Sequence, residues 1–231
     1  MKTIGLIGGM SWESTVPYYR IINEHIKDRL GGLHSAELIL YSVDFQPIEQ
    51  LQHSGDWDET GRILARAARS LESAGADCVV LCTNTMHKVA DQIGAAIRIP
   101  LLHIADATGT TVVSAGLDTV GLLGTKFTME REFYRGWLEK NYNLNVLIPS
   151  EADRTVIHRV IYDELCLGNV LNESRELFKE IIDRLVHVGA QGVILGCTEI
   201  SMLVSDDDSQ VPLFDTTAIH ARYAVDWALG N

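Results

Sequence analysis

The sequence lacks any apolar run approaching the roughly 18 residues that a membrane-spanning helix needs. It also lacks a signal-peptide pattern, because the stretch over residues 1–9 is short, rich in glycine and typical of a core strand followed by a turn. We therefore expect no membrane partner and a cytoplasmic location.

Runs of lysine and arginine are absent as well, and the formal net charge is -12 at pH 7. This field would repel a phosphate backbone, so the charge argues against nucleic acid as a partner. Acidity by itself indicates nothing about which small molecule the protein binds.

Cysteine is scarce, with four residues in the chain: Cys78, Cys82, Cys166 and Cys197. In a cytoplasmic protein we expect them to be reduced thiols. Cys78 and Cys82 are four residues apart and have no matching cluster of histidine or cysteine, which argues against a zinc site. We therefore expect no bound metal.

The chain repeats itself once, with four segments that recur in the same order. The matched segments are residues 3–9 and 119–125, 18–20 and 133–135, 75–81 and 189–195, and 99–103 and 211–215, at spacings of 116, 115, 114 and 112 residues. One order with slowly drifting spacing indicates an internal duplication and predicts two similar halves.

Each half alternates apolar runs, typical of buried parallel strands, with amphipathic helical patterns. The predicted strands cover residues 4–7, 37–43, 78–81, 120–123, 146–148 and 193–195. Helices are predicted over residues 60–73 and 174–188, with Gly75 and Gly189 suited to cap their ends. This alternation predicts an α/β fold of two similar domains, each a parallel sheet flanked by helices.

We expect the first domain to comprise residues 1–102 together with 212–231, and the second to comprise residues 103–211. Ligands of such sheets bind beyond the carboxyl ends of the strands. Two similar halves therefore predict one active site in the cleft between the domains. The alternative is a fusion of two copies that share no site.

The duplication also pairs the residues that end equivalent strands. At the spacing of 114, Thr83 is the partner of Cys197, and Cys82 is the partner of Gly196. Because side chains alternate along a strand, Cys82 is expected to point away from the face that Thr83 lines. We expect Cys82 to be a buried core thiol rather than a catalyst.

Cys197 follows Gly196, which permits close approach of a ligand, and precedes a predicted helix that begins near Ile200. The N–H groups at a helix start stabilise a thiolate and would also hold a substrate carboxylate, so we expect the pKa of this thiol to be lowered. Asn84 and Thr85 offer an equivalent anion site in the first half. The alternative is that both turns are only well-capped strand–helix junctions.

Two motifs resemble those of a known family. Residues 83–87, Thr-Asn-Thr-Met-His, resemble the Cys-Asn-Thr-x-His motif of the aspartate/glutamate racemases, and residues 196–199, Gly-Cys-Thr-Glu, look like their second motif. The segment up to Met10 is similar to the family's first strand and loop. The resemblance covers essentially the whole chain. It implies two α/β domains related by a pseudo-twofold axis, no pyridoxal phosphate or other cofactor, a homodimer and a two-base mechanism.

The resemblance also implies roles for individual residues. Cys197 would abstract the Cα proton of L-aspartate or L-glutamate, and Thr83, or a water that it holds, would protonate the opposite face. Fixed dipoles at the two turns would stabilise the carbanion. The candidate substrate-binding residues are Met10, Gln52, Asn84, Thr85, Thr125, Thr198 and Glu199.

The sequence departs from the family pattern at two positions. Thr83 stands where the family usually has cysteine, which matches a subgroup of enterobacterial members that resemble L-aspartate/L-glutamate-specific racemases. Cys166 stands where the aspartate racemases carry a lysine for the distal carboxylate. Gln52, expected in the loop after the strand over residues 37–43, is either a replacement contact or a solvent-facing polar residue. His87 is either a site residue or, as we favour, a histidine on a helix face.

Two other functions are compatible with the sequence. A single-cysteine decarboxylase of arylmalonate type would protonate one face only and would ignore amino acids. A non-catalytic amino-acid sensor could carry Thr83 as a decayed base. A dinucleotide-binding module is disfavoured, because the glycines of residues 5–9 lack the G-x-G-x-x-G spacing.

Overall fold

The computed structural model describes residues 1–230, which divide into two compact units. The first unit comprises Met1–His103 and the chain from His220 onward, and the second comprises Ile104–Ile219. Within the described residues, no helix combines the length and the apolar character needed to cross a bilayer.

The first unit alternates strands and helices. Its elements are β1 (Ile4–Gly8), α1 (Trp12–Leu30), β2 (Leu38–Ser42), α2 (Phe45–Ser54), α3 (Trp57–Ser73), β3 (Cys78–Leu81), a 3-10 helix (Thr85–Val89), α4 (Ala90–Gly94) and β4 (Leu101–Leu102). The strands form a parallel sheet in the order β2-β1-β3-β4.

Two apolar layers cover the two faces of this sheet. On one face, Ile4 and Leu6 of β1 pack with Tyr18 of α1. On the other face, Ile7 packs with Leu64 of α3. Because β1 is buried on both faces, it reads as a continuous apolar run rather than as an alternating pattern.

The second unit has the same organisation. Its elements are α5 (Ile104–Ser114), β5 (Thr119–Gly124), α6 (Lys126–Glu130), α7 (Arg135–Tyr142), β6 (Asn145–Leu147), α8 (Glu151–Asp163), a 3-10 helix (Leu165–Leu167), α9 (Asn172–His187), β7 (Val193–Gly196), two 3-10 helices (Ile200–Met202 and Asp206–Asp208), β8 (Leu213–Asp215) and the start of α10 (Thr216–Leu229). The parallel sheet has the order β6-β5-β7-β8, and its core joins Leu122 of β5, Ile157 of α8 and Phe178 of α9.

The equivalent strand orders confirm the fold class predicted from the duplication. All six predicted strands are present, with ends that differ from the prediction by at most one residue, and the two predicted helices correspond to α3 and α9. The prediction did not include β4 and β8. These short strands lie in the fourth pair of matched segments, next to a proline in each half.

A glycine occupies the equivalent position of β1 and of β5. A Cβ atom on Gly5 would lie 2.9 Å from the Cβ of Ala76 and 3.2 Å from the Cβ of Leu71 in α3. A Cβ atom on Gly121 would lie 2.9 Å from a methyl carbon of Leu185 in α9. These distances are shorter than the optimal separation of carbon atoms. Each glycine therefore allows a helix to pack closely on its sheet.

The return of the chain to the first unit occurs inside α10. From the sequence we expect this return at residue 212, ahead of β8. However, Phe214 of β8 pairs with Ile194 of β7, so β8 belongs to the second sheet. The return therefore comes at His220.

Candidate active site

Thr83, Asn84 and Thr85 follow β3 after the single residue Cys82, at the carboxyl end of the first sheet. The Thr83 N–H donates to the Leu81 carbonyl over 2.8 Å, and a 3-10 helix begins at Thr85. All three side chains are buried. Because β1 pairs with β3, the loop that carries Met10 leaves the same edge of the sheet. The first unit thus brings four of the predicted site residues to one strand-end region.

Cys82 belongs to the core and not to this region. Its side chain is fully buried, and its thiol lies 3.8 Å from the Val80 carbonyl. Burial raises the pKa of the Cys82 thiol far above its ordinary value. The expectation of a buried core thiol is confirmed.

His87 lies inside the first unit, two residues into the 3-10 helix. Its Nδ1 is 2.8 Å from the Thr83 carbonyl oxygen, and its ring centroid is 4.5 Å from that of His103 and 5.9 Å from that of His220. Burial, followed by repulsion from the other two histidines, lowers its pKa well below the ordinary value. The ring is only 3% exposed, so His87 lies on the buried face of this helix.

Gln52 lies in α2 rather than in the loop expected from the sequence. Asp44 caps this helix, with its carboxylate accepting the Gln46 N–H over 3.3 Å. The Gln52 side chain is 3% exposed, and its amide donates to the Met86 sulfur over 3.7 Å. A solvent-facing Gln52 is therefore excluded. Its side chain contacts the helix that follows Thr83.

Cys197, Thr198 and Glu199 follow β7 at the carboxyl end of the second sheet. All three are buried, with Glu199 only 2% exposed. The Cys197 thiol donates to Glu199 Oε2 over 3.0 Å, and the Thr198 hydroxyl donates to the same oxygen over 2.9 Å. One carboxylate oxygen therefore accepts from both a thiol and a hydroxyl.

The surroundings of Cys197 raise the pKa of its thiol well above the ordinary value. Burial is the main cause, followed by the negative charge of Glu199 and by Cys166. The lowered pKa expected from a helix start is wrong, because Ile200–Met202 is a single 3-10 turn and a carboxylate lies against the sulfur. At neutral pH the resting thiol is protonated.

Cys166 is close to the same carboxylate. It lies in the short helix Leu165–Leu167, is half-buried and packs against the core cluster that contains Cys197. Burial, followed by the charge of Glu199 and a hydrogen bond to it, raises the pKa of the Cys166 thiol. The position that resembles the family's lysine therefore places a neutral thiol beside Glu199.

Thr125 leaves β5 next to the Cys197 turn. Gly124 of β5 pairs with Gly196 of β7, so the residues that follow them leave the sheet side by side. The Thr125 hydroxyl accepts the Thr128 N–H over 3.3 Å and caps α6. Thr125, Thr198, Glu199 and Cys197 thus share the carboxyl edge of the second sheet.

Residues at the end of β8, which were not predicted from the sequence, also contribute to this edge. The Thr216 hydroxyl donates to the Leu195 carbonyl over 2.7 Å, and the Asp215 carboxylate accepts the Thr217 N–H over 2.9 Å. Burial is the main cause of a raised pKa at Asp215. The duplication offered a signal for these residues, because it matches Asp215 with His103.

Within residues 1–230, no group of three or more His, Cys, Asp or Glu side chains is arranged to hold a metal ion. The side chains that the two regions present are thiols, carboxylates, hydroxyls and amides.

The chain resembles proteins of known class. Over residues 7–224 it matches the family described as Asp/Glu/Hydantoin racemase. It is 23% identical over 227 residues to the broad specificity amino-acid racemase RacX of Bacillus subtilis (strain 168), and the match covers 96% of each chain. A crystal structure from Yersinia pestis, of a protein proposed to be an Asp/Glu racemase, is 57% identical with a TM-score of 0.92 and covers 99% of this chain and 100% of that one. The structure of an aspartate racemase homologue from Pyrococcus horikoshii OT3 is 36% identical with a TM-score of 0.85, and the match covers 99% and 100% of the two chains.

The paired α/β units and their strand-end clusters have the architecture of a racemase. The chain belongs to the Asp/Glu/hydantoin racemase family, and it is therefore an isomerase. The resemblance read from residues 83–87 and 196–199 is confirmed at the level of the family.

Proposed function

We propose that the chain is a cofactor-independent amino-acid racemase that acts on aspartate or glutamate. The observation that carries this proposal is the 3.0 Å contact between the Cys197 thiol and the Glu199 carboxylate. A thiol with a raised pKa needs a base to take its proton before it can take one from carbon, and Glu199 lies at hydrogen-bond distance. Family membership and the names of the relatives support an amino-acid substrate.

In the first step, the proton of the Cys197 thiol passes to Glu199, which leaves a thiolate and a carboxylic acid. The thiolate then takes the Cα proton of the L-enantiomer and forms a new S–H bond. The electron pair of the broken C–H bond is shared with the substrate carboxylate. Hydrogen bonds from the Thr85 and Thr198 turns stabilise this enolate-like charge.

In the second step, the Thr83 hydroxyl, or a water that it holds, delivers a proton to the opposite face of Cα. As the Thr83 hydroxyl gives up its proton, it takes another from water in the same step. The resulting hydroxide is neutralised by the proton that Glu199 releases, so the protein returns to its starting state. A threonine alkoxide is not accessible near neutral pH without an activating partner. The Thr83 side therefore limits both directions, because the two enantiomers have equal free energy and kcat/KM must be the same for each.

The remaining site residues are assigned to substrate binding. Gln52 would contact the distal carboxylate of the substrate, since its side-chain amide is a hydrogen-bond donor. It would replace the lysine of the aspartate racemases, whose position is occupied by Cys166 in this chain. The other proposed substrate contacts are Met10, Asn84, Thr85, Thr125 and Thr198. The contacts of Glu199 support a role as the base for Cys197 rather than as a substrate ligand. A homodimer and a cytoplasmic location complete the proposal, on the strength of the family resemblance.

Isotope exchange tests the proposal. The protein is incubated in D₂O with L-aspartate, L-glutamate or an arylmalonate, and Cα deuterium and product chirality are followed. We expect deuterium and the D-enantiomer from an amino acid, and a loss on the order of a thousandfold in Cys197→Ser. The control Cys78→Ser changes a thiol at the start of β3, the end of the strand remote from Thr83, and should retain activity.

Other outcomes of this experiment would contradict the proposal. Decarboxylation of the arylmalonate without exchange of amino acids would identify a decarboxylase. Binding of an amino acid without exchange would identify a sensor. Wild-type rates in Cys197→Ser would remove this thiol from the mechanism.

A further inference from the structure

We propose that His87 is the positioning residue of the Thr83 turn, and that it acts by donating its Nδ1–H to the Thr83 carbonyl. This role requires no contact between the ring and the substrate. It holds the backbone that aims the Thr83 hydroxyl. This inference rests on the proposed function for the role of Thr83, whereas the contact itself is independent of that function.

The contact defines the tautomer of His87. A carbonyl oxygen can only accept a hydrogen bond, so the Nδ1 atom 2.8 Å from the Thr83 oxygen must carry the ring proton. The ring is buried, and its surroundings lower its pKa well below the ordinary value. His87 is therefore a neutral imidazole that offers one N–H donor, and that donor points at Thr83.

Two neighbouring histidines hold the ring of His87 in place. His103, at the end of the first sheet, meets it edge to face at 70° with centroids 4.5 Å apart. His220 of α10 meets it at 65° with centroids 5.9 Å apart. Contacts of this kind with two neighbouring rings restrict rotation of the His87 ring about its side-chain bonds.

His220 is itself fixed, in the opposite tautomer. Its Nε2 lies 2.9 Å from the Leu102 carbonyl, so Nε2 carries the proton. Its Nδ1 lies 3.0 Å from the Tyr18 hydroxyl and therefore accepts the tyrosine proton. The first unit thus contains two adjacent buried histidines whose protons are on different ring nitrogens.

This arrangement connects the Thr83 turn to the rigid part of the first unit. Leu102 is in the sheet, and Tyr18 is a fully buried residue of α1. Through His220 and His87, both elements support the backbone at Thr83. A turn held in this way keeps the hydroxyl in one direction, which the delivery of a proton to one face of Cα requires.

Nitrogen chemical shifts of the histidine rings test the contact without any reference to catalysis. The protein is labelled with ¹⁵N-histidine, and His87 is assigned by the signals that disappear in His87→Asn. We expect a protonated Nδ1 at His87 and a protonated Nε2 at His220 in the wild type. The control His34→Asn makes the same change at an exposed histidine and should leave both ring signals in place. A protonated Nε2 at His87 would overturn the proposal.

Two substitutions test the positioning role. The side-chain nitrogen of asparagine occupies the place of Nδ1, whereas that of glutamine occupies the place of Nε2. We expect His87→Asn to racemise close to the wild-type rate and His87→Gln to lose about 10- to 100-fold, since a small misplacement of a reacting group costs that much. In both variants, abstraction and return of the Cα proton by Cys197 should still introduce deuterium from D₂O into recovered L-substrate. Circular dichroism establishes that each variant is folded.

The outcomes separate the two proposals. If both variants lose racemisation and L-exchange equally, or if His87→Gln racemises as well as His87→Asn, the positioning role is wrong. If the wild type exchanges no amino acid, the proposed function is wrong, and the ring-nitrogen shifts still decide whether His87 holds the Thr83 carbonyl.

Discussion

The variant Glu199→Gln removes the negative charge beside Cys197 and preserves the shape of the side chain. The same change should have opposite effects on two properties of the thiol. Loss of the charge makes the thiolate easier to form, because the carboxylate raises the pKa of Cys197. Loss of the proton acceptor slows racemisation, because glutamine cannot take the thiol proton.

The 3.0 Å separation sets the size of the first effect. Two unit charges at that distance repel by about 5 kcal/mol at an effective dielectric constant of about 20, which is an upper bound here. Even a quarter of this energy lowers the thiol pKa by about one and raises the thiolate fraction about tenfold at a given pH. The pKa should stay above its ordinary value, since burial, the larger cause, is unchanged.

The size of the second effect follows from the contribution of general bases. Removal of such a base slows a reaction by about 100- to 10,000-fold. We therefore expect Glu199→Gln to alkylate faster with iodoacetamide at Cys197 and to racemise at least about 100 times more slowly. Few substitutions of an active thiol's neighbour would increase its reactivity towards a reagent and abolish its activity towards the substrate.

Mass spectrometry of the Cys197 peptide gives the alkylation rate as a function of pH, and circular dichroism of the substrate gives the racemisation rate. Glu139→Gln, which removes a charge from a surface ion pair with Arg135, is the control and should change neither rate. An unchanged or slower alkylation of Cys197 in Glu199→Gln would refute the electrostatic part. Racemisation at the wild-type rate would refute the assignment of Glu199 as the base.

Two further predictions concern the first unit. Thr83→Cys should raise deuterium incorporation into recovered D-substrate by about tenfold or more, because a thiolate is accessible near neutral pH and an alkoxide is not; a folded variant that gains nothing in an NMR exchange assay would show that Thr83 is not the second acid. Burial lowers the pKa of His220 from 6.5 to about 4, so between these pH values the unfolded chain binds a proton that the folded chain excludes. The free energy of unfolding in urea should therefore fall by about 3 kcal/mol as the pH drops through that window. The decrease in the free energy of unfolding should be smaller in His220→Gln. An equal decrease in the wild type and the variant would show that other groups cause it.

Much of the fold was predictable because the internal duplication repeats the pattern of strands and helices in both halves of the chain. The strands at residues 78–81 and 193–195 are apolar throughout, as strands buried on both faces must be. Their spacing alone paired Thr83 with Cys197. In the structure, Cys197 follows β7 directly and Thr83 lies two residues after the end of β3, the equivalent strand of the other sheet.

The surroundings of the site residues could not be predicted from the sequence, because they depend on tertiary contacts. The pKa of Cys197 is raised by burial and by a carboxylate whose direction no sequence pattern reports. The burial of His87 depends on His220, which is distant in the chain. The helix that contains Gln52 could have been predicted from the sequence, since Asp44 is a suitable N-cap and Pro47 fits a first helical turn.

The path of α10 has a consequence for the order in which the protein folds. One core of the first unit includes Ala221, Ala224 and Val225, packed against Ile4 and Tyr18. During synthesis, residues 104–219 emerge as a continuous segment that contains every strand of its own sheet. The segment made first must wait until the residues after 220 have left the ribosome before it can complete its core. Domains commonly fold from the N-terminus during translation; here the unit that begins the chain is the last to be finished.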